Sequence, residues 1–333
     1  MDLSIIIPVY NMVGYLDDCL QSIVTQPLGD YRVEVLCIDD GSTDGSAALL
    51  DQYADWYAFV RVFHQANKGV SVARNVGLAM ACGEYVWFVD SDDCLVQNAI
   101  VELLGIAYER RVKLLRFGYE TFGSAYRKMS STGRSSNLRL TGRGELYAPS
   151  LWCQLFKRSL LGHRFNEQMA YGEDGLFAAQ VQFQVFPYWV MDRVYYRYRL
   201  HEGSLTHQKN PQSMRRVYES LLIFHDELVR NHAFYCQNET TAEAYERLLA
   251  GVRSGFMFEL CKCESSELMA YYQKAVQGGV YPYRAKVRHI VQMPEWKLPL
   301  TVNVHIVLAD LIKLVLMSGH GVGVFNRLFG WFY

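Results

Sequence analysis

No CxxC pair occurs in this chain. Its 8 Cys are scattered along 333 residues, a spacing that offers no structural zinc site. Cys37 sits inside the apolar run VEVLCID, where a free thiol acts as a small hydrophobe. An excess of charge is missing too. Lys and Arg total 33 against 34 Asp and Glu, so nothing in the balance points to nucleic acid. The opening MDLSIIIPVYN runs straight into a strand-like segment without a basic leader, and the expectation is a reducing, cytoplasmic setting. No G-x-G-x-x-G follows that segment, since the chain reads PVYNMVGY there, and GxxxxGK[ST] occurs nowhere. A Rossmann dinucleotide loop and a P-loop are both excluded. The most apolar stretch, 297–333, is broken by Asp310 and Lys313. It holds no uncharged run of about 18 residues and is not a membrane span.

What is present describes a globular chain. Hydrophobic residues make up 50% and charged ones 20%, and the length calls for more than one folding unit. The 23 Tyr suit either a stacking surface or an ordinary core and rim. Through residue 118 two periodicities alternate. Short apolar runs at 4–8, 33–39, 60–64, 85–89 and 113–119 read as strands. Helical spacing covers 14–26, 43–57, 70–82 and 96–111, with Ser42, Thr43 and Asp44 capping the second helix and Gly83 closing the third. Strands apolar on both faces, alternating with helices, predict a mostly parallel α/β sheet flanked by helices on both sides.

In such sheets ligands bind beyond the carboxyl ends of the strands. There the sequence places Pro8-Val9-Tyr10-Asn11, Asp39-Asp40-Gly41-Ser42, Asn67-Lys68-Gly69 and Asp90-Ser91-Asp92-Asp93. Carboxylates crowded within four positions repel one another. A hard divalent cation, Mg²⁺ or Mn²⁺, bridging them to a diphosphate would neutralise the repulsion.

The segments SIIIPVYN, IDDGSTDGS, NKGVSVARNVGLAMACGEYVWFVDSDD and the later GED together resemble the family 2 glycosyltransferases of the GT-A fold. The resemblance runs from about residue 3 to about 205. It implies that Tyr10 stacks on uracil, with Pro8 shaping the loop and Asn11 among the nucleotide-sugar-binding residues. Asp39 or Asp40 then accepts the base N3–H, although a turn and helix cap would also use these residues. Lys68 and Arg74 resemble residues near the base and diphosphate. Asp90, Ser91 and Asp92 resemble the DxD motif that touches the ribose and holds the metal. Asp93 is either a further metal ligand or a helix-dipole partner. His201 is either a ligand or a structural imidazole.

By the same likeness Trp152 and Lys157 open the acceptor half, 119–209. Asp174 is the base that takes the acceptor proton, and Glu173 supports it. Arg197, Arg199, Ser204 and Thr206 are candidates for phosphate contacts. The stretch 123–144 reads as a basic insertion. From 210 to 333 the pattern turns helical, at 214–232, 241–262, 265–277, 281–291 and 300–317. Arg284, Lys286, Arg288, Trp296, Trp331 and Phe332 suit either helices lying on an anionic membrane or a buried or dimer contact.

The resemblance implies a metal-dependent inverting transferase. It would move a sugar from a nucleotide sugar, a UDP-sugar by likeness, to a glycan or polyprenyl-diphosphate-linked acceptor of cell-surface polysaccharide. It would work in the cytoplasm or on the inner face of the membrane. The alternative is a catalytically inactive nucleotide-sugar sensor or scaffold.

Overall fold

A computed structural model describes residues 1–123, 138–142, 146–147, 149–201, 211–260, 271 and 273–280. The chain divides into two compact units, Met1–Gln208 and Lys209–Tyr333.

The first unit is an α/β sheet. Strands β1 (Leu3–Val9) and β2 (Val33–Asp39) are buried along their whole length. Alternate residues serve opposite faces, as the two-residue strand period requires. Ile5, Ile7, Val35 and Cys37 enter one core, and Ile6 and Leu36 the other. Strand β3 (Val60–His64) pairs with β2, and β4 (Tyr85–Phe88) pairs with β1 on its other side, all in parallel. Helices α1 (Val13–Val24), α2 (Ser46–Trp56) and α4 (Ala99–Glu109) pack on the first face through Leu16, Leu50 and Leu103. On the second face, α3 (Val70–Met80) and α5 (Glu173–Val185) contribute Leu78, Phe177 and Val181.

Because β2 and β4 lie on opposite sides of β1, the strand order reverses at β1. The carboxyl ends of β1, β2 and β4 therefore open onto one crevice, the usual ligand position of such sheets.

Beyond β4 the sheet departs from simple alternation. The two residues Cys94–Leu95 form β5, so α4 starts at Ala99 and not at Val96. The fifth predicted strand, β6 (Leu114–Phe122), does not lie against β4. Between them runs β8 (Gln154–Lys157), antiparallel to both. The long β9 (Trp189–Arg199) pairs in parallel with β6, and β5 and the short β7 (Leu138–Leu140) pair with β9.

Two terminus expectations change. Gly83 is not a helix-closing glycine, because α3 ends at Met80. It passes so close to β1 that a Cβ would lie 2.4 Å from the Ser4 nitrogen. The second helix begins at Ser46, and Asp44 reaches two helix starts at once. One carboxylate oxygen accepts the Ser46 amide at 3.0 Å, and the other accepts the Val13 amide at 3.0 Å.

The second unit is helical as far as it is described. Helix α6 (Pro211–Arg230) starts at a proline, whose fixed φ suits a first helical position. After the short α7 (His232–Tyr235), Asn238 and Thr241 exchange backbone-to-side-chain hydrogen bonds of 3.0 Å. That reciprocal cap begins α8 (Glu239–Leu260). Arg253 donates to Nε2 of the buried His225 at 3.1 Å, and burial followed by this neighbouring cation lowers the imidazole pKa to about 4. Residues 271 and 273–277 are helical. The predicted helices at 281–291 and 300–317, and with them the basic and aromatic residues read as suiting either a membrane surface or a buried or dimer contact, lie outside the described residues, as does most of the basic insertion. Among the described residues no helix is long and apolar enough to cross a membrane.

Candidate functional site

The crevice is built from the strand ends inward. Tyr10 follows β1 directly and is 46% exposed, an aromatic face open to a ligand. Pro8 is buried inside β1 opposite Ile38, so its part is in the strand and not in the loop. Asn11 adopts φ +53 and locks the loop to its neighbour. Its side-chain oxygen accepts the Thr43 amide at 2.7 Å, and its own amide donates to the Ser42 hydroxyl at 3.1 Å.

Asp39 and Asp40 end β2 with different duties. Asp40 organises the loop before α3: it accepts from Gln65 Nε2 at 2.7 Å and from the amides of Lys68 at 2.8 Å and Gly69 at 2.7 Å. Gly41, at φ +76, lets that loop approach, since a Cβ would stand 2.8 Å from the Asn67 nitrogen. Asp39 accepts from the Ser42 amide at 3.0 Å and from His64 Nδ1 at 2.8 Å. Burial opposes its ionisation, but these hydrogen bonds outweigh it and hold the carboxyl below the usual range. Lys68 directs its side chain to solvent.

Past β4, Arg74 of α3 reaches two acidic motifs from within the fold. Its guanidinium donates to Glu173 at 2.7 Å and to Asp90 at 3.0 Å, and its plane faces Phe165 at 5.4 Å. Both ends of the planar fork are used. The first acidic motif is thereby joined to the start of α5, which lies 99 residues beyond Arg74 in sequence. Asp174, next along that helix, has one oxygen on the Gly175 amide at 2.8 Å. Its pKa is raised to about 7, by burial first and then by the Glu173 charge, against the pull of Arg74. Burial likewise raises Asp90, with Arg74 opposing. Ser91 is buried beside it.

Asp92 and Asp93 point to different surroundings. Asp92 Oδ2 lies 2.9 Å from His201 Nε2, and the His201 ring packs 4.5 Å from Tyr15. Asp93 is fully buried. The Tyr196 hydroxyl donates to one of its oxygens at 2.7 Å and the Arg199 amide to the other at 2.7 Å. Burial raises its pKa well above the ordinary value. In this structure Asp93 supports the turn, with both of its oxygens engaged by β9. The Tyr196 hydroxyl also accepts the Asp90 amide at 3.1 Å, and Arg199 Nε donates to the Asp92 carbonyl at 2.7 Å. Strand β9 thus fixes the acidic turn from behind. Arg199, a candidate for phosphate contacts, carries an ion pair to Asp18 at 2.8 Å as well.

Among the described residues no three His, Cys, Asp or Glu side chains are placed to hold a metal ion. What remains is the pair Asp92 and His201. A carboxylate oxygen and an imidazole nitrogen are donors that suit a divalent cation, which takes one or two protein ligands besides substrate phosphates.

Three groups thus stand beyond the strand ends: Tyr10 and Asp39 after β1 and β2, Arg74 with Asp90 and Glu173 beside Asp174, and the pair Asp92 and His201. Residues not singled out from sequence are His64, Tyr15 and Tyr196. The alternation of Tyr and Arg through 195–199 is the signal that marks β9 and places Tyr196 and Tyr198 on one face.

Comparison with known proteins gives the following. Residues 4–165 match the family described as Glycosyl transferase family 2. An uncharacterized glycosyltransferase EpsJ of Bacillus subtilis is 30% identical over 224 residues, 64% of this chain and 63% of that one. An uncharacterized glycosyltransferase YibD of Escherichia coli is 29% identical over 252 residues, 69% of this chain and 72% of that one. The match thus spans slightly under two thirds of the first relative. Minor teichoic acid biosynthesis protein GgaB of Bacillus subtilis is 27% identical over 69% of this chain and 27% of its own length. In fold, the chain resembles the crystal structure of S. aureus TarS in complex with UDP, with TM-score 0.65 and 21% identity over 89% of this chain and 82% of that one.

Proposed function

We propose, from the match of residues 4–165 to the family described as Glycosyl transferase family 2, that this chain is an inverting transferase. It moves a sugar from a nucleotide-sugar donor to a glycan or lipid-linked glycan acceptor of cell-surface polysaccharide. One observation carries the reading. Arg74 ties the acidic turn after β4 to the start of α5, where Asp174 is held at a pKa of about 7. A base poised near the working pH is what proton abstraction from a hydroxyl requires.

The donor lies across the strand ends. Tyr10 stacks on the base, Asp39 accepts the base N–H, and Asp90 faces the ribose. UDP as the carrier draws support from the fold neighbour crystallised with it. Asp174 accepts the acceptor hydroxyl's proton while that oxygen attacks the anomeric carbon. The bond from that carbon to the diphosphate oxygen breaks, and its electron pair leaves with the nucleoside diphosphate. A single displacement inverts the centre. Glu173, paired with Arg74, keeps the start of α5 in place and adds the charge that raises Asp174. Asp92 and His201 would hold Mn²⁺ or Mg²⁺. Bound there, the ion would supply charge stabilisation to the departing diphosphate. A polyprenyl-linked acceptor would bring the chain to the inner face of the membrane.

The test is a panel of nucleotide sugars offered to the full chain with Mn²⁺ or Mg²⁺, following released nucleoside diphosphate. Turnover of one UDP-sugar supports the assignment. No binding of any nucleotide sugar overturns it.

A further inference from the structure

His64 ends β3 beside the nucleotide crevice, and both of its ring nitrogens face carboxylates. Nδ1 lies 2.8 Å from Asp39 Oδ2 of β2, and Nε2 lies 3.1 Å from Asp51 Oδ1 of α2. An ionised carboxylate can only accept, so each ring nitrogen must carry a proton. A neutral imidazole has one N–H and would leave one of these contacts as a repulsion between lone pairs. The arrangement therefore describes an imidazolium held between two anions. Asp39 is nearly buried, whereas the His64 side chain is 44% exposed and Asp51 62% exposed. Of the carboxylate oxygens of Asp39, one is fixed by the Ser42 amide at 3.0 Å and the other by His64.

We propose that His64 is a positioning residue for nucleobase recognition: as an imidazolium it aims and keeps ionised the carboxylate of Asp39 that accepts the base N–H. The inference rests on the nucleotide-sugar reading above and deepens it. Asp39 and Asp51 are the charged groups facing His64 from the elements packed against it. The Asp39 hydrogen bond, and after it Asp51, raises the imidazole pKa above its ordinary value against the opposing effect of burial. Base binding is accordingly strongest while His64 is charged and weakens as the pH rises past its titration. An exposed histidine otherwise reads as a surface residue. Here it sits one contact away from the ligand without touching it.

The experiment measures UDP binding to the full chain by calorimetry between pH 6.5 and 8.5. Inorganic pyrophosphate is the reference, because it shares the diphosphate and lacks the base. For wild type, the ratio of UDP to pyrophosphate affinity falls about tenfold across this range, the scale of one lost charge-assisted hydrogen bond. For His64→Gln the ratio is low and independent of pH. For Asp51→Asn the fall moves to lower pH, since one of the two anions is gone. Nitrogen-15 spectra of the histidines show both His64 nitrogens protonated at the acidic end of this range. A ratio that stays flat in wild type, or the same fall retained in His64→Gln, overturns the proposal. So does a His64 that is neutral at the acidic end of the range. If wild type binds pyrophosphate but UDP no better at any pH, the nucleotide reading itself fails. That result is distinct from UDP binding without pH dependence.

Discussion

Arg74 lies 2.7 Å from Glu173 and 3.0 Å from Asp90, with only 7% of its side chain exposed. One guanidinium thus connects the acidic turn after β4 with the start of α5, the proposed places of the donor and of the base. Arg74→Ala leaves two acidic groups facing each other without a partner. It should cost about 3–5 kcal/mol of stability, the usual result of removing one member of a buried pair, and abolish turnover. Arg74→Lys keeps the charge and loses the fork. It should fold and lose most of its turnover, which chemical denaturation and a steady-state assay on the same preparation will separate.

Asp174 gives a prediction with a definite sign. Its carboxyl has an ordinary value of 3.8 and a folded value of about 7. Between these values the folded state binds more protons than the unfolded chain. Stability contributed by this site therefore falls as the pH rises from about 4 to 7, and the cost is in full force above 7. Asp174→Asn cannot ionise. Its melting temperature should exceed that of wild type at pH 8, and the gap should shrink as the pH drops toward 4. Activity runs the opposite way. Turnover by wild type should climb with pH through a midpoint near 7, as the base loses its proton. Thermal melts and a pH–rate profile check the two halves independently.

Much of the fold around these strand ends was legible in the chain, and the limits of that reading are physical. The strands β1, β2 and β4 follow from apolar runs buried on both faces, whereas the edge strand β3 is buried only at Val60, and the polar strand ends follow from these runs. Distance defeats the reading of Arg74, because nothing local ties it to Glu173 across 99 positions. Adjacency defeats the reading of Asp92 and Asp93. Neighbouring residues project in different directions, and only Tyr196 and Arg199 on β9 decide which carboxylate is turned inward. Strand β8 was missed because it is a four-residue insertion between β4 and β6, supplied from later in the chain.

Tyr10 supplies an exposed ring at the end of β1. Tyr10→Ala should weaken UDP binding by about 1–3 kcal/mol, the contribution of one base stacked on an aromatic ring. Tyr10→Phe should bind almost as wild type does, since the ring face is retained. Binding of pyrophosphate should be the same in all three, and calorimetry with both ligands checks this.

Gly83 tests the fold apart from the chemistry. A Cβ there would lie 2.4 Å from the Ser4 nitrogen and 2.6 Å from the Leu3 carbonyl carbon, both backbone atoms. Neither can rotate away. Gly83→Ala should destabilise the chain by about 1–3 kcal/mol, as overpacking does, with no change in the pH midpoint of activity. Denaturant titration gives the first quantity and the pH–rate profile the second.

The most direct measurement compares wild type with Asp174→Asn and Asp92→Asn, using the UDP-sugar that the donor panel selects. UDP binding and sugar transfer are followed separately, with Mn²⁺ added or chelated. The account predicts that Asp174→Asn binds UDP as wild type does and transfers no sugar. It predicts that Asp92→Asn needs roughly tenfold more metal or beyond, the scale on which even outer-shell partners act, and that chelation stops wild type. Transfer that persists in Asp174→Asn at the wild-type rate would contradict the account, because the proton would then have another destination.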